Sequence, residues 1–286
     1  MAKPNAAADA TDMPAAKPSH NLMLRVASSA VLAPIAIGIG YFGGWPFAIF
    51  WTIAAIAVWW EWTKLVHPSG HIGVLVTGIC ALVIQMFLSM NNRDDVAIMI
   101  AGLGGLAAAI ISARNAIWTF GGVIYASILV VAPTQIRGED LTGFMAIVFV
   151  FAVVWSTDIA AYFAGRAIGG PKLAPAISPN KTWSGAIGGL IGAVAGGAAI
   201  AMPSNAKTFL IIAVIAIALS IVSQAGDLFE SRMKRLFNVK DSSNLIPGHG
   251  GVMDRLDGFV AAALLALLIG AARGGWNTPA QGLIGW

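Results

Sequence analysis

Long apolar stretches without a single Lys, Arg, Asp or Glu recur from near the start of this sequence to its end. The first covers residues 26–60 and is interrupted by the turn-forming residues "GGWP" at 43–46. Because a membrane-spanning helix needs about 17–25 mainly apolar residues, residues 26–60 are long enough for two such helices. The other charge-free stretches are residues 72–92, 96–113, 115–136, 141–157, 182–206, 208–226 and 258–272.

Two of these stretches are short for a bilayer and reach spanning length only if their helices take in charged residues. The stretch at 141–157 is long enough when it continues past Asp158. The last stretch is long enough when its helix begins near Val252 and includes Asp254 and Asp257. The spans must be helices, because lipid offers no hydrogen-bond partners to the backbone. The sequence therefore predicts an all-α polytopic integral membrane protein with about nine transmembrane helices.

The composition excludes a soluble protein of ordinary type. Of the 286 residues, 58% are hydrophobic and only 10% are charged, whereas soluble domains carry about 25% charged residues. The Ala- and Pro-rich residues 1–20 are predicted to be a disordered tail. Residues 21–140 then form N-terminal transmembrane helices. Residues 141–286 form a C-terminal transmembrane region, where the candidate catalytic residues lie.

The positions of Lys and Arg predict the orientation in the membrane, because cytoplasmic loops are enriched in these residues. With nine spans and a cytoplasmic N-terminus, 13 of the 17 Lys and Arg residues lie on the cytoplasmic side. The other four are Arg93, Arg137, Lys207 and Arg273. The sequence therefore predicts a cytoplasmic N-terminus and an external C-terminus, in what we expect to be a bacterial inner (plasma) membrane.

Charged residues concentrate between residues 227 and 257, close to apolar stretches on both sides. Carboxylates at the mouths of spanning helices are costly and indicate a functional site. Asp227 and Glu230, like Asp254 and Asp257, are three residues apart, so each pair shares a helix face. Two such faces could hold a hard divalent cation through oxygen ligands. The cations between them, which suit phosphate groups, are Arg232, Lys234, Arg235 and Lys240.

A second polar cluster lies at residues 156–185, on the same predicted side of the membrane. Asp158, Tyr162 and Arg166 recur every four residues and so share one helix face. Lys181 lies at the predicted start of the next helix, which favours binding of an anion. Hydroxyl groups beside it are those of Ser178, Thr182 and Ser184. Together the two clusters predict an active site at the cytoplasmic face that acts on a phosphorylated amphiphile.

The segment "SRMKRLFNVKDSSNLIPGHGGVMDRLD", residues 231–257, resembles the signature of the phosphatidate cytidylyltransferases, the CDP-diacylglycerol synthases. The segments "DIAAYFAGRAIG", "KLAPAISPNKTW" and "GDLFES" are similar to further segments of that family. This chain departs from the family at Ser184, where Glu or Gln is common. The residues that match the signature's fixed positions are Ser231, Lys234, Arg235, Lys240, Asp241, His249, Gly250, Gly251, Asp254, Arg255 and Asp257.

The resemblance implies a reaction in which CTP and phosphatidate give CDP-diacylglycerol and pyrophosphate, with Mg²⁺ as cofactor. Whether a second cation, monovalent or divalent, also binds is left open. The implied partners are CTP and phosphatidate in the bilayer, with no nucleic acid, and a homodimer is left undecided. The implied metal ligands are Asp227 and Asp254, followed by Asp257 and Asp158.

His249 has two readings, a hydrogen-bonded turn residue or a direct phosphate contact. The remaining candidate residues, with His249, divide into a catalytic and a substrate-binding group. The candidate catalytic residues are Lys181, Ser231, Lys234, Arg235, Lys240, Asp241, His249 and Arg255. The candidate substrate-binding residues are Ser178, Thr182, Arg166, Gly250 and Gly251.

Two alternative functions are weighed against this one. Polytopic prenyltransferases also bind Mg²⁺-diphosphate at Asp-rich helix ends, and "DRLD" loosely fits that pattern, but "GDLFES" is a poor second motif. A transporter would place its charges near the middle of the membrane on broken helices, whereas these charges lie at one edge. Both alternatives are therefore less favoured than the cytidylyltransferase.

Overall fold

The apolar stretches of the sequence form helices in a computed structural model, which describes residues 31–239, 241–243, 245 and 250–285. The proposed tail at 1–20 lies outside the described residues, as do Lys240 and His249. The helices are α1 (Val31–Phe42), α2 (Gly44–Val66), α3 (Ile72–Met90), α4 (Asp94–Ser112), α5 (Ala116–Arg137), α6 (Leu141–Ile168), α7 (Trp183–Ala201), α8 (Ala206–Leu236), α9 (Met253–Gly274) and α10 (Pro279–Ile284).

Six helical segments of the described chain are long and apolar enough to cross a membrane. One of them, Asp94–Arg137, consists of α4 and α5, which fold back on each other so that Gly105 lies against Phe120. Helix α2, at 23 residues, is long enough to cross a membrane but is not one of these six segments. The chain is an all-α polytopic membrane protein, and helices α1–α9 occupy the positions predicted from the charge-free stretches.

The predicted helix ends are confirmed for α6 and α9 but are wrong for α8. Helix α6 continues past Asp158, and α9 begins at Met253. The span predicted to end near Gln224 continues instead to Leu236. An ion pair between Glu230 and Lys234 stabilises this extension, because residues four apart are neighbours on a helix.

A small β-hairpin separates α6 from α7, within the Pro- and Gly-containing segment "GGPKLAPAISPNKT" at residues 169–182. Strand β1 (Lys172–Ala174) pairs antiparallel with β2 (Ser178–Thr182). The hydroxyl of Thr182 accepts a hydrogen bond from the backbone N–H of Gly185 at 3.1 Å, so Thr182 is the N-cap of α7. The hairpin therefore delivers Lys181 directly to the start of that helix.

Small residues set the helix crossings that bring the polar residues together. Glycines of α7 allow close helix packing, because a small residue lets two helix backbones approach. Gly185 accordingly lies against the Ala161 carbonyl of α6. Helices α8 and α9 cross at Gly226. A Cβ atom added to Gly226 would lie only 2.6 Å from the Asp257 carbonyl oxygen, so the two helices can approach this closely only at a glycine. Asp227 of α8 and Asp257 of α9 consequently lie on either side of one close crossing.

Aromatic side chains hold the N-terminal and C-terminal halves of the chain together. The ring of Trp51 in α2 stacks on that of Phe259 in α9, with centroids 4.7 Å apart. Phe151 of α6 packs against both rings. Because this core joins α2 to α6 and α9, α2 is placed beside the helices that carry the predicted site.

Candidate active site

Lys181 and Asp227 form the first charged pair of the site. Lys181 is the next-to-last residue of β2, Asp227 lies on α8, and the Lys181 Nζ forms an ion pair with Asp227 Oδ2. Ser231, one turn later on α8, donates from its hydroxyl to Asp227 Oδ1 at 3.4 Å. Both side chains of the ion pair are partly exposed, so a ligand arriving at the site can reach them.

Two further carboxylates surround this pair. Asp158 of α6 and Asp257 of α9 both lie within electrostatic range of Asp227 and of Lys181. Arg255 is within range of Asp158 as well. One carboxylate from each of three helices thus lies near a common region, where the three carboxylates outnumber the two cations Lys181 and Arg255.

The donor set at this point fits a hard divalent cation. Carboxylate oxygens are the ligands that Mg²⁺ prefers, and the ion is usually held by one or two carboxylates together with waters and substrate phosphates. Among the described residues, no three His, Cys, Asp or Glu side chains are gathered closely enough to hold a metal ion alone. The arrangement therefore suits a cation that arrives with a polyphosphate rather than one enclosed by protein.

Asp254 belongs to a second and more enclosed centre. Its Oδ1 accepts from Lys234 Nζ at 2.6 Å, and Lys234 also contacts Glu230 Oε2 at 2.7 Å. Its Oδ2 accepts from the backbone N–H of Gly251 at 2.8 Å and from the hydroxyl of Ser242 at 2.9 Å. The sequence grouped Asp254 with Asp227 as metal ligands, whereas the structure gives Asp254 protein partners at both oxygens.

Glu61 is a site residue that the sequence interpretation missed. It lies on α2 and is fully buried, yet its carboxylate accepts hydrogen bonds from the backbone N–H groups of Val252 and Met253, at 2.9 and 2.7 Å. The hydroxyls of Ser242 and Ser243 also donate to it. A carboxylate inside the Trp-rich apolar segment "WWEWTKLV" was the available signal, because such a group is costly in a membrane helix unless it has partners.

The two glycines of the signature are required by packing within the protein. Gly250 adopts φ +86°, a left-handed conformation that favours glycine. A Cβ atom on Gly251 would lie 2.7 Å from both carboxylate oxygens of Glu61 and would collide with the Ser242 hydroxyl. These contacts provide a structural reason for Gly250 and Gly251, which the sequence suggested as substrate contacts.

Several other predicted residues have definite positions. Arg166 donates to the Tyr162 hydroxyl at 2.8 Å, in agreement with their predicted common helix face. Thr182 is buried as a helix cap, and Ser184 donates to the Gly169 carbonyl at 2.5 Å. Residues that are exposed at this end of the bundle are Arg232, Arg235, Asp241 and Arg255, and Ser178 is partly exposed at the start of β2.

Comparison with known proteins agrees with the signature. Residues 23–272 match the model of the cytidylyltransferase family. The phosphatidate cytidylyltransferase of Brucella suis biovar 1 (strain 1330) is 44% identical over 259 residues, which cover 88% of this chain and 94% of the relative. The phosphatidate cytidylyltransferase of Pseudomonas aeruginosa is 34% identical over 274 residues, which cover 90% of this chain and 100% of the relative.

Proposed function

This chain belongs to the cytidylyltransferase family, and we propose that it uses the site described above to transfer CMP from CTP to phosphatidate, giving CDP-diacylglycerol and pyrophosphate. It is a membrane-embedded nucleotidyltransferase. The observation that supports this use of the site best is the Lys181–Asp227 ion pair at the crossing that also carries Asp257. A cation, a carboxylate pair and an opening to solvent are what a metal-bound triphosphate needs.

The nucleophile requires little activation by the protein. A phosphate monoester has a second pKa of about 6, so the phosphatidate headgroup is largely dianionic at neutral pH. One of its oxygens attacks the α-phosphorus of CTP, and the bond from that phosphorus to the bridging oxygen breaks. Pyrophosphate leaves with the electron pair. The protein's work is to align two polyanions and to neutralise charge on the leaving group.

We assign the charged residues of the two centres to different roles. Lys181 and Arg255 contact phosphate oxygens, since both lie at the exposed carboxylate cluster. Lys234 is paired with two carboxylates and only 13% exposed, so it orients Asp254 instead of binding phosphate. Lys240 and His249 lie outside the described residues. For Lys240 a phosphate contact stays a proposal from the sequence resemblance, and for His249 both readings, a hydrogen-bonded turn residue or a phosphate contact, stay open.

We further propose that Mg²⁺ would be held by Asp227, by one of its neighbours Asp257 and Asp158, and by phosphate oxygens of CTP. Asp254, the other first candidate from the sequence, would have to exchange one of its present partners to join them. When bound, the ion would neutralise negative charge on the triphosphate. Asp227 would exchange Lys181 for the cation, which would free the Lys181 ammonium for the phosphates.

The lipid substrate is proposed to reach the site sideways from the bilayer. Apolar side chains near this end of α6 and α7 are exposed on the surface of the protein, among them Phe163 at 64% and Trp183 at 56%. Acyl chains can remain against such a surface while the phosphate headgroup extends to Lys181. CTP would enter from the cytoplasm, in keeping with a cytoplasmic N-terminus, an external C-terminus and an inner-membrane location.

A substrate comparison tests this function. Purified protein in mixed micelles with CTP and Mg²⁺ should release one pyrophosphate for each CDP-diacylglycerol formed from phosphatidate. Replacing phosphatidate by a prenyl diphosphate should give no product. Activity with the prenyl acceptor, or none with phosphatidate, would contradict the proposal.

A further inference from the structure

We propose that Glu61 is a positioning residue for the reaction, and that it fixes the signature loop and thereby orients Asp254. The signature loop is the segment between α8 and α9, of which the structure describes residues 237–239, 241–243, 245 and 250–252. This inference rests on the proposed function, because it assigns Glu61 a part in that reaction. Glu61 lies on α2, in the N-terminal half of the chain, and 191 residues separate it from Val252. It would give the N-terminal helices a direct role in the site.

The hydrogen bonds of Glu61 are distributed evenly over its carboxylate. Oε1 accepts from the Ser243 hydroxyl at 2.5 Å and from the Val252 N–H at 2.9 Å. Oε2 accepts from the Ser242 hydroxyl at 3.2 Å and from the Met253 N–H at 2.7 Å. One carboxylate therefore ties the signature loop and the first residues of α9 to α2.

Ser242 connects Glu61 to the enclosed charged centre. Its hydroxyl lies 3.2 Å from Glu61 Oε2 and 2.9 Å from Asp254 Oδ2, and its backbone N–H donates to the same Asp254 oxygen. Asp254 in turn holds Lys234 of α8. The contacts thus run from α2 through the loop to α9 and α8, and a displacement of the loop would shift Asp254.

The site demands a carboxylate and not merely a polar side chain. Each oxygen of Glu61 receives one backbone N–H, and these donors cannot be rotated away. A glutamine amide has only one acceptor oxygen, so one of the two N–H groups would face an NH₂ group in a buried position. The start of α9 also carries a partial positive charge, which favours an anionic partner.

Space around the carboxylate is closely filled. A Cβ atom on Gly251 would lie 2.7 Å from both oxygens of Glu61. The loop backbone can therefore approach Glu61 only because position 251 is glycine. The buried carboxylate of Glu61 and the absence of a side chain at Gly251 are therefore both needed for the loop backbone to pack against α2.

Glu61→Gln tests the proposal against a matched control, Asp94→Asn. Asp94 is also a carboxylate with several donors, since it accepts from Ser89, Gln135 and Trp276, but these contacts join α3, α5 and the segment after α9. Both variants lose hydrogen bonds to a carboxylate. Only Glu61→Gln changes the signature loop.

We expect Glu61→Gln to lower kcat by about 10–100-fold, the range typical when an outer hydrogen-bond partner that orients the side chains of a metal site is removed. The KM for CTP should change much less, because Glu61 contacts loop residues instead of phosphates. Hydrogen exchange at the N–H groups of Val252 and Met253 should become faster in Glu61→Gln and stay unchanged in Asp94→Asn. Equal kcat values for the two variants would overturn the inference.

Ser242→Ala provides the decisive variant if Glu61→Gln does not fold, because it removes only the hydroxyl between Glu61 and Asp254. A kcat below that of Asp94→Asn supports the inference, and a wild-type kcat overturns it. The two proposals fail separately. An inactive wild-type protein with CTP and phosphatidate contradicts the proposed function, whereas active wild type with fully active Glu61→Gln contradicts only the role of Glu61.

Discussion

Lys181 and Asp227 form an ion pair that joins the end of the β-hairpin to the C-terminal third of α8, at the point where α8 crosses α9. The pair is partly exposed, whereas the second pair of the site, Lys234 with Asp254, is largely enclosed. This difference separates the residues that we expect to meet substrate from those that hold the site in shape.

Asp227→Asn should abolish turnover while leaving the protein folded. The replacement keeps the volume of the side chain but removes the charge that is proposed to bind the cation. Asp95→Asn is the control, because Asp95 is exposed at the other end of the bundle and approaches Arg93 only at 3.8 Å. If Asp227→Asn kept more than about a tenth of the wild-type rate, only about 1.4 kcal/mol of barrier would be involved, which is too little for a metal ligand.

Asp254→Asn should also lower turnover, and unlike Asp227→Asn it should destabilise the fold. The change weakens the contacts to Lys234, Ser242 and Gly251 within an enclosed network. Hydrogen bonds to charged groups contribute about 1.5–3 kcal/mol each. Thermal unfolding in one detergent measures the difference between the variants. Equal unfolding temperatures for the two would contradict the division into an open and an enclosed centre.

The positions of the helices could be predicted from the sequence, because a membrane-spanning helix is a continuous run of apolar residues and such a run is visible in the sequence itself. Even the charged ends of α6 and α9 followed from the length that a bilayer requires. The extension of α8 to Leu236 was not foreseen, because its charged surface resembled a loop. The pair Glu230–Lys234, spaced i to i+4, was visible in the sequence and could have indicated it.

The candidate site was only partly predictable. The concentration of charge at residues 227–257 identified Asp227, Asp254 and Asp257 as residues of one region, but not the separation of Asp254 from the other two. Glu61 was missed because its contacts depend on packing between α2 and a loop far along the chain. A pattern of neighbouring residues cannot predict a contact between residues that lie so far apart in the sequence.

The orientation in the membrane can be tested with cysteines at both ends of the bundle. In a Cys80→Ala background, Leu245→Cys should be labelled only from the cytoplasmic side of sealed vesicles. Leu245 is exposed in the signature loop. Asn277→Cys, exposed beyond α9 near Trp276, should be labelled only from the outer side. Labelling of both from one side would contradict the predicted topology.

The two substrates should respond differently to salt. Arg232 and Arg235 are exposed at the end of α8, and such charges attract a polyanion less strongly as ionic strength rises. The KM for CTP should therefore increase from low to high KCl, with a second salt as a control for activation by K⁺. The KM for phosphatidate should change less, because burial of its chains contributes about 0.8 kcal/mol per CH₂. A constant KM for CTP would contradict this role of the two arginines.

The fate of the phosphates of CTP tests the central claim most directly. Purified protein should be given phosphatidate, Mg²⁺ and CTP labelled with ³²P at either the α- or the γ-phosphate. The account predicts that label from the α-position enters the lipid product and that label from the γ-position appears only in pyrophosphate. Label from the γ-position in the lipid, or no label in lipid from either substrate, would contradict transfer of CMP by this protein.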